Sequence, residues 1–305
     1  MLNSKDLYPS RTAERVPMIP RLDPVIHTDH DRRWSGPLSE EELARFDRDG
    51  YLLFEGFFGP DEVAEFREEL RRLEADDGLR DWEGVIREPE SDEVRSVFQI
   101  HKPRISARLA RLARDPRLLE RARQLLASDV YIHQSRINYK PGFKGKGFNW
   151  HSDFETWHTE DGMPRMRAVS CSIILTDNHE FNGPLMLIPG SHRYFVPCVG
   201  LTPEDNYKTS LKVQQAGVPD EESIAALSRE RGIEAATGPA GSLLMFECNT
   251  LHGSNANMSP DPRSNVFFVY NSVRNVPTAP YAASKHRPAF LAEREDFTPL
   301  TPAND

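Results

Sequence analysis

The chain has 305 residues, 38% hydrophobic and 28% charged, a globular composition long enough for one large domain with a sizeable core. Its formal net charge of −9 argues against non-specific binding to nucleic acid or to anionic membranes, both of which need basic patches. No apolar run is long enough to span a bilayer and the first twenty residues hold no signal-peptide core; the three cysteines, Cys171, Cys198 and Cys248, are odd in number and form no CxxC, so a cytoplasmic protein with reduced thiols is expected.

Residues 1–36, rich in Pro, Arg and Asp, read as an irregular arm draped over the body or a neighbour. The rest, 37–305, reads as a single domain with a helical flank (37–128), a β core (129–275) and a C-terminal segment (276–305). In "LSEEELARFDRDGYLLFEGFF" Ser39 caps a helix with acids in its first turn, Gly50 ends it, and a strand follows. "GPDEVAEFREELRRLEAD" is a second helix with Pro60 near its start, and "PRLLERARQLLAS" a third. From about residue 130 the pattern changes to short runs rich in Val, Ile, Phe and Tyr: "DVYIHQSRINYK", "AVSCSIILTD", "GPLMLIPGSH", "GSLLMFECNTLHGS" and "SNVFFVYNSV". Punctuated by Gly, Pro, Asn and Asp, they predict a sandwich or barrel. The insertion 201–236 reads as loop plus helix.

The stretch "FNWHSDFETWHTEDGMPRMRAVSCSIILT" (148–176) concentrates ionisable groups just before an apolar run. Read as extended backbone, it puts His151 and Asp153, two apart, on one side of the chain. His252 in "NTLHGSN" is the best third ligand. Two histidines and one carboxylate on one face leave positions open for a chelating cosubstrate and O₂, the arrangement of non-haem Fe(II) oxygenases. Arg263, eleven residues after His252, is placed to pair with a distal carboxylate, and an acid with a chelating end and a carboxylate end is 2-oxoglutarate. A lone H-x-D is weak; with a strand-flanking His and a following Arg it becomes specific. His133, His158, His179 and His192 are rival ligands; His158 is expected outside the metal's reach, His179 and His192 in solvated turns.

This H-x-D…H…R pattern on a β core resembles the phytanoyl-CoA dioxygenase-like branch of the Fe(II)/2-oxoglutarate oxygenases. "FNWHSDFETWHTEDGMPRMRAVSCSIILTDN", "GPLMLIPGSH" and "LHGSNANMSPDPRSNVFFVYN" are further similar to the ectoine hydroxylases of that branch, and the likeness runs from about residue 40 to about 295. The resemblance implies a mainly β, cupin-like double-stranded β-helix (jelly roll) with flanking N-terminal helices. It implies hydroxylation of ectoine to 5-hydroxyectoine with 2-oxoglutarate going to succinate and CO₂, and so a role in osmoprotection and stress response. His151, Asp153 and His252 match the iron ligands, and Arg263 the anchor of the distal carboxylate. Asn138, Phe148 and Ser172 match cosubstrate contacts, and Gln134, Trp157, Phe267 and Arg287 substrate contacts. Trp157 and Phe267 would receive the delocalised amidine cation of the zwitterionic substrate, Gln134 its polar edges and Arg287 its carboxylate. Trp157 and Phe267 also read as core packing, and Arg287, in "SKHRPAF", as an exposed C-terminal turn.

Three other readings stay open: another small-molecule hydroxylase of the same branch; a zinc hydrolase using the same triad, for which there is no HExxH helix and no role for Arg263; and a non-catalytic jelly-roll binding protein. The arm and the edge strands make a homodimer plausible. Glu155, Thr156, Glu160 and Asp161 have no role that the residues alone assign.

Overall fold

Capping signals set the first half of the molecule. Ser39 and Glu42 form a capping box at the start of helix α1 (Glu40–Asp49), and Gly50, in the left-handed region at φ 83°, ends it and releases strand β2 (Tyr51–Phe54). The structure is a computed structural model describing residues 6–27, 34–88, 92–212 and 216–303. Residues 1–5 and 28–33 of the arm, 213–215 of the insertion and 304–305 of the C-terminal segment lie outside them. Helix α2 (Pro60–Glu74) has Pro60 at its start, and α4 (Pro116–Leu126) follows an Asp115 cap. Three elements of this flank were not read from the sequence: β3 (Val85–Arg87), β4 (Val94–Phe98) and α3 (Ala107–Leu112).

The β core follows: β5 (Val130–Lys140), β6 (Phe148–His151), helix α5 (Asp153–Asp161), β7 (Ala168–Ile174) and β8 (Leu185–Leu187). After the two-residue strand β9 (Tyr194–Phe195) the insertion forms α6 (Tyr207–Ser210), α7 (Glu221–Arg231) and β10 (Glu234–Ala235), and β11 (Leu243–Glu247), β12 (His252–Ser254) and β13 (Arg263–Ser272) close the core. Among the described residues these strands make a seven-stranded sheet, β2-β11-β7-β13-β5-β4-β3, and a four-stranded sheet, β10-β8-β12-β6, every named pair antiparallel. This is the expected jelly roll. The arm lies on the body, where Ile19–Pro20 (β1) pairs with β9.

The large sheet is buried on both faces, and its alternation divides two tasks. Ile137 and Tyr139 of β5, Val169, Cys171 and Ile173 of β7, and Val266, Phe268 and Tyr270 of β13 pack against the helices in one large apolar cluster. The alternate residues face the small sheet, where Leu185, Leu187, Leu244, Phe246 and Phe267 form a lesser cluster. A register shift between Val269 and Tyr270 inserts one extra residue, His133, in β5. The bulge lets Ile132 and Ile137, five apart, both face the helices, while Gln134, Arg136 and Asn138 point between the sheets. Among the described residues no helix is long and apolar enough to cross a membrane, and all three cysteines are free and buried.

Gly50 has no room for a side chain: a Cβ there would lie 2.3 Å from His192 Nδ1 and 2.8 Å from Thr250 Oγ1, on backbone that L residues rarely adopt. Gly50→Ala is expected to cost about 2–4 kcal/mol of stability, read as a lowered thermal and denaturant midpoint.

Candidate metal centre and its two clefts

The small sheet brings two imidazoles together directly. His151 ends β6 and His252 begins β12, and the two are partners across the ladder, with ring centroids 4.1 Å apart. The third group arrives by a different route from the extended segment that the sequence suggested. Backbone turns at Ser152, whose hydroxyl caps α5, and Asp153 is the first residue of that helix. Its Oδ1 lies 3.7 Å from His151 Nε2 and its Oδ2 3.9 Å from His252 Nε2. These three are a group that could hold a metal ion, their ligand atoms all within 4.8 Å of one another.

The ring orientations suit ligation. Each Nδ1 meets a carbonyl two residues back, Asn149 O at 2.8 Å for His151 and Thr250 O at 2.9 Å for His252. A carbonyl can only accept, so Nδ1 carries the proton and the Nε2 lone pair is left for a metal. Burial, and next the His252 ring, push the His151 pKa well below its ordinary value, so it is neutral as a ligand must be. The rivals go elsewhere. His158 Nε2 is 2.9 Å from Asp6 Oδ1 and its Nδ1 2.8 Å from Met163 O, as expected of a group outside the metal's reach. His192 sits in a turn but is buried, not solvated, with Nε2 3.0 Å from Asp47 O. His179 is half-buried. His133 is buried against Trp157.

Two clefts meet at this centre and share Arg136, Phe148, His151 and Leu211. The first adds Asn138, Lys140, His252, Ser254, Arg263 and Phe267 among its walls. It is strongly cationic: Arg95 is compensated by Glu88 at 3.0 Å, while Arg136, Lys140 and Arg263 crowd together. Arg263 is buried and gives Nη2 to Asn138 Oδ1 at 2.8 Å, but its Nε and Nη1 find no partner among the described residues. Burial and the neighbouring Arg136 and Arg95 charges pull its pKa down to about 10. Unpaired buried guanidinium donors beside a metal triad are the signature of a site built for an anion. Burial, then Arg263 and Arg95, bring Lys140 down to about 6; its Nζ meets Ser254 Oγ at 2.9 Å.

The second cleft is walled by Gln134, Asp153, Thr156, Trp157, Glu160, Asn206 and Arg287. Trp157 is buried in a T-shaped contact with His133, so packing and cleft wall are one role. Arg287 is not the exposed turn its local sequence suggests: it is buried and forked onto both oxygens of Asp161. Gln134 gives its amide to Leu291 O. Two expected contacts stand apart from their assigned places. Phe267 lines the first cleft, under the Arg136 guanidinium at 5.2 Å, and is not among the walls of the second. Ser172 lines neither; it pairs with Phe267 in the sheet and accepts Asn265 Nδ2 at 3.1 Å.

Arg136 and Lys140 were missed in the sequence. The signal was there: Gln134, Arg136, Asn138 and Lys140 alternate on one strand, and polar residues at every second place of a buried strand line a site. Of the four residues of the signature that had no role, three now have partners and the fourth lines a cleft. Glu155 and Glu160 meet Arg11, Asp161 meets Arg287, and Thr156 faces the second cleft.

The fold and the triad define a metal-dependent jelly-roll enzyme. The profile of the phytanoyl-CoA dioxygenase (PhyH) family matches residues 46–265, and the chain belongs to that family. It is 56% identical over 294 residues to the ectoine dioxygenase of Halomonas elongata (96% of this chain, 87% of that one). It is 56% identical over 295 residues to that of Nocardia farcinica (97% and 95%). Among solved structures, EctD from S. alaskensis with 2-oxoglutarate and 5-hydroxyectoine superposes with a TM-score of 0.87 at 49% identity, covering 98% of both chains. The same protein with bound Fe gives 0.85 at 48% identity, again over 98% of both. The donor set here, two imidazoles, one carboxylate and open positions, fits Fe(II).

Asp153→Ala is expected to weaken Fe(II) or Co(II) binding at least about 100-fold, measured anaerobically by equilibrium dialysis. His158→Gln should leave metal affinity within about threefold; an equal loss in both variants would remove Asp153 from the metal.

Proposed function

We propose that the protein hydroxylates ectoine to 5-hydroxyectoine with Fe(II), O₂ and 2-oxoglutarate, which leaves as succinate and CO₂. The observation that carries this is the pair of clefts meeting at one His–Asp–His centre: one lined by surplus buried cations, the other by Trp157 and a guanidinium. Likeness to proteins named ectoine dioxygenase over nearly the whole chain supports the choice of substrate.

When bound, Fe(II) supplies O₂ activation coupled to decarboxylation of the cosubstrate. The chain's own residues bind, orient and shield. His151, Asp153 and His252 would hold the metal. Arg263, oriented by Asn138, receives the distal carboxylate of 2-oxoglutarate through its unpaired donors, and Lys140 and Arg136 add charge around the dianion. On the other side Trp157 and Phe148 offer aromatic faces to the amidine cation, while Arg287 and Gln134 meet the carboxylate and the polar edges. Phe148 packs at a steep angle to the His151 ring, centroids 4.9 Å apart, at the join between the clefts. Asp153 as a ligand would fill the position a halide needs, so hydroxylation and not halogenation is expected. The three free, buried thiols agree with a reducing cytoplasm, and the compatible-solute product with osmoprotection. A homodimer is the assembly we expect.

Oxygen-uptake and succinate assays with Fe(II), 2-oxoglutarate and ascorbate, with and without ectoine, test the reading. Succinate stimulated by ectoine, with a matching hydroxylated product, is expected; succinate indifferent to ectoine would leave an oxygenase of another substrate. Arg263→Gln should raise KM for 2-oxoglutarate at least about tenfold, or about 1.4 kcal/mol, with KM for ectoine little changed.

Lys140 adds a pH dependence. Its pKa of about 6 makes it a neutral amine at pH 7.5 before 2-oxoglutarate binds. A neighbouring dianion favours the ammonium form, so binding takes up a proton, and 2-oxoglutarate affinity rises as pH falls toward about 6 and levels below that. Calorimetry at pH 7.5 in buffers of different ionisation enthalpy should report uptake of about one proton; Lys140→Met should report none.

A further inference from the structure

Arg11 belongs to the arm, far in sequence from every residue of the site, yet it is 3% exposed and sits at the hub of a buried charge network. Its Nε lies 2.6 Å from Glu155 Oε1, and its Nη2 lies 2.9 Å from Glu155 Oε2 and 3.1 Å from Glu160 Oε1. Ser10 Oγ donates to Glu155 Oε1 at 2.6 Å, and Asn206 Nδ2, from the insertion, to Glu160 Oε1 at 2.8 Å. Arg11 Nη1 reaches Thr202 Oγ1 at 3.3 Å. One guanidinium thus ties the arm, helix α5 and the insertion together.

Backbone and neighbours are shaped around this contact. Arg11 has φ 58°, in the left-handed region that side chains with a Cβ rarely adopt, and its N–H is fixed on Cys198 O at 2.9 Å. Gly217 closes over the pair: a Cβ there would stand 2.5 Å from Arg11 Nη2 and 2.8 Å from Glu155 Oε2. Burial would push the Glu155 carboxyl up; the Arg11 charge and hydrogen bonds outweigh it and hold the group below its ordinary value. Strained backbone held by so many partners is a feature of functional sites.

We propose that Arg11 is a positioning residue for the substrate side of the site: by forking between Glu155 and Glu160 it sets the helix that carries Thr156, Trp157 and Glu160 into the second cleft. The inference rests on the ectoine reading above. Two features make its effect one-sided. The start of α5 is held without Arg11, by the Ser152 cap and by Phe154 N donating to Cys248 O at 2.8 Å, so Asp153 keeps its place. The cosubstrate cleft is built by Asn138 and Lys140 on β5 and Arg263 on β13, which Arg11 does not touch. Lysine cannot replace the fork, because an ammonium is a point donor and cannot span two carboxylates in a fixed plane.

The test is a split in kinetic constants. For Arg11→Lys the expected result is a KM for ectoine raised at least tenfold, a KM for 2-oxoglutarate and a Co(II) affinity within twofold of wild type, and succinate formed in excess of hydroxylated product. Calorimetric titration of ectoine into protein loaded with Co(II) and 2-oxoglutarate should show the same loss without turnover. If Arg11→Lys does not fold, the double variant Arg11→Gln, Glu155→Gln removes the cation together with one of its two carboxylate partners, keeps the net charge, and should show the same split. An unchanged KM for ectoine, a parallel rise in both KM values, or failure of both variants to fold overturns the proposal. Wild-type protein in the same assay separates the two claims. Absence of ectoine-dependent turnover there overturns the substrate reading, and the proposal with it. Its presence, with no split in the variants, overturns Arg11 alone.

Discussion

The site depends on one change of backbone conformation, from strand to helix, between His151 and Asp153. Along a continuing strand, residues two apart lie roughly 6.6 Å from each other on one side of the chain. The turn at Ser152 folds the carboxylate back to 3.7 Å from the imidazole. It also places Asp153 in the first turn of α5, where the free N–H groups and the helix dipole favour negative charge. Ser152 has a second hold: its hydroxyl donates to Asn249 Oδ1, and Asn249 lies three residues before His252. The cap that starts the helix therefore also ties the two ligand-bearing segments together.

The large sheet makes such a polar interior affordable. Its outer face carries the apolar core against α2, α3 and α4, so the inner face is free to hold three guanidiniums and an amine within one cleft. Burying that much charge is costly without partners. Arg95 has Glu88 and Arg263 has Asn138, but the surplus is left for an incoming anion.

What was legible in the sequence was what local rules govern. The Ser39 cap, the Gly50 stop and Pro60 fixed the first two helices, and the apolar runs of β5, β7, β11 and β13 marked the large sheet. The triad was visible because a metal restricts residue type and Arg263 stood at a telling distance. Helix α5 was not, since almost every side chain on it is buried, polar ones included, and so it shows no amphipathic stripe. β4 was hidden for a similar reason: Arg95 and Ser96 interrupt its apolar run because they face the cleft. The burial of Arg287 and of His192 was beyond reach, because each depends on a partner distant in sequence, Asp161 for one and the carbonyl of Asp47 for the other.

The join between the two clefts has its own consequence. Arg136, Phe148, His151 and Leu211 are wall to both, so the clefts are not independent receptors. Any shift of the Arg136 guanidinium toward an anion on one side changes the surface met by a molecule on the other. The two occupancies are then joined by a coupling free energy, which by thermodynamic necessity acts equally in both directions. A fold that shares a wall between cosubstrate and substrate makes each occupancy a term in the affinity of the other.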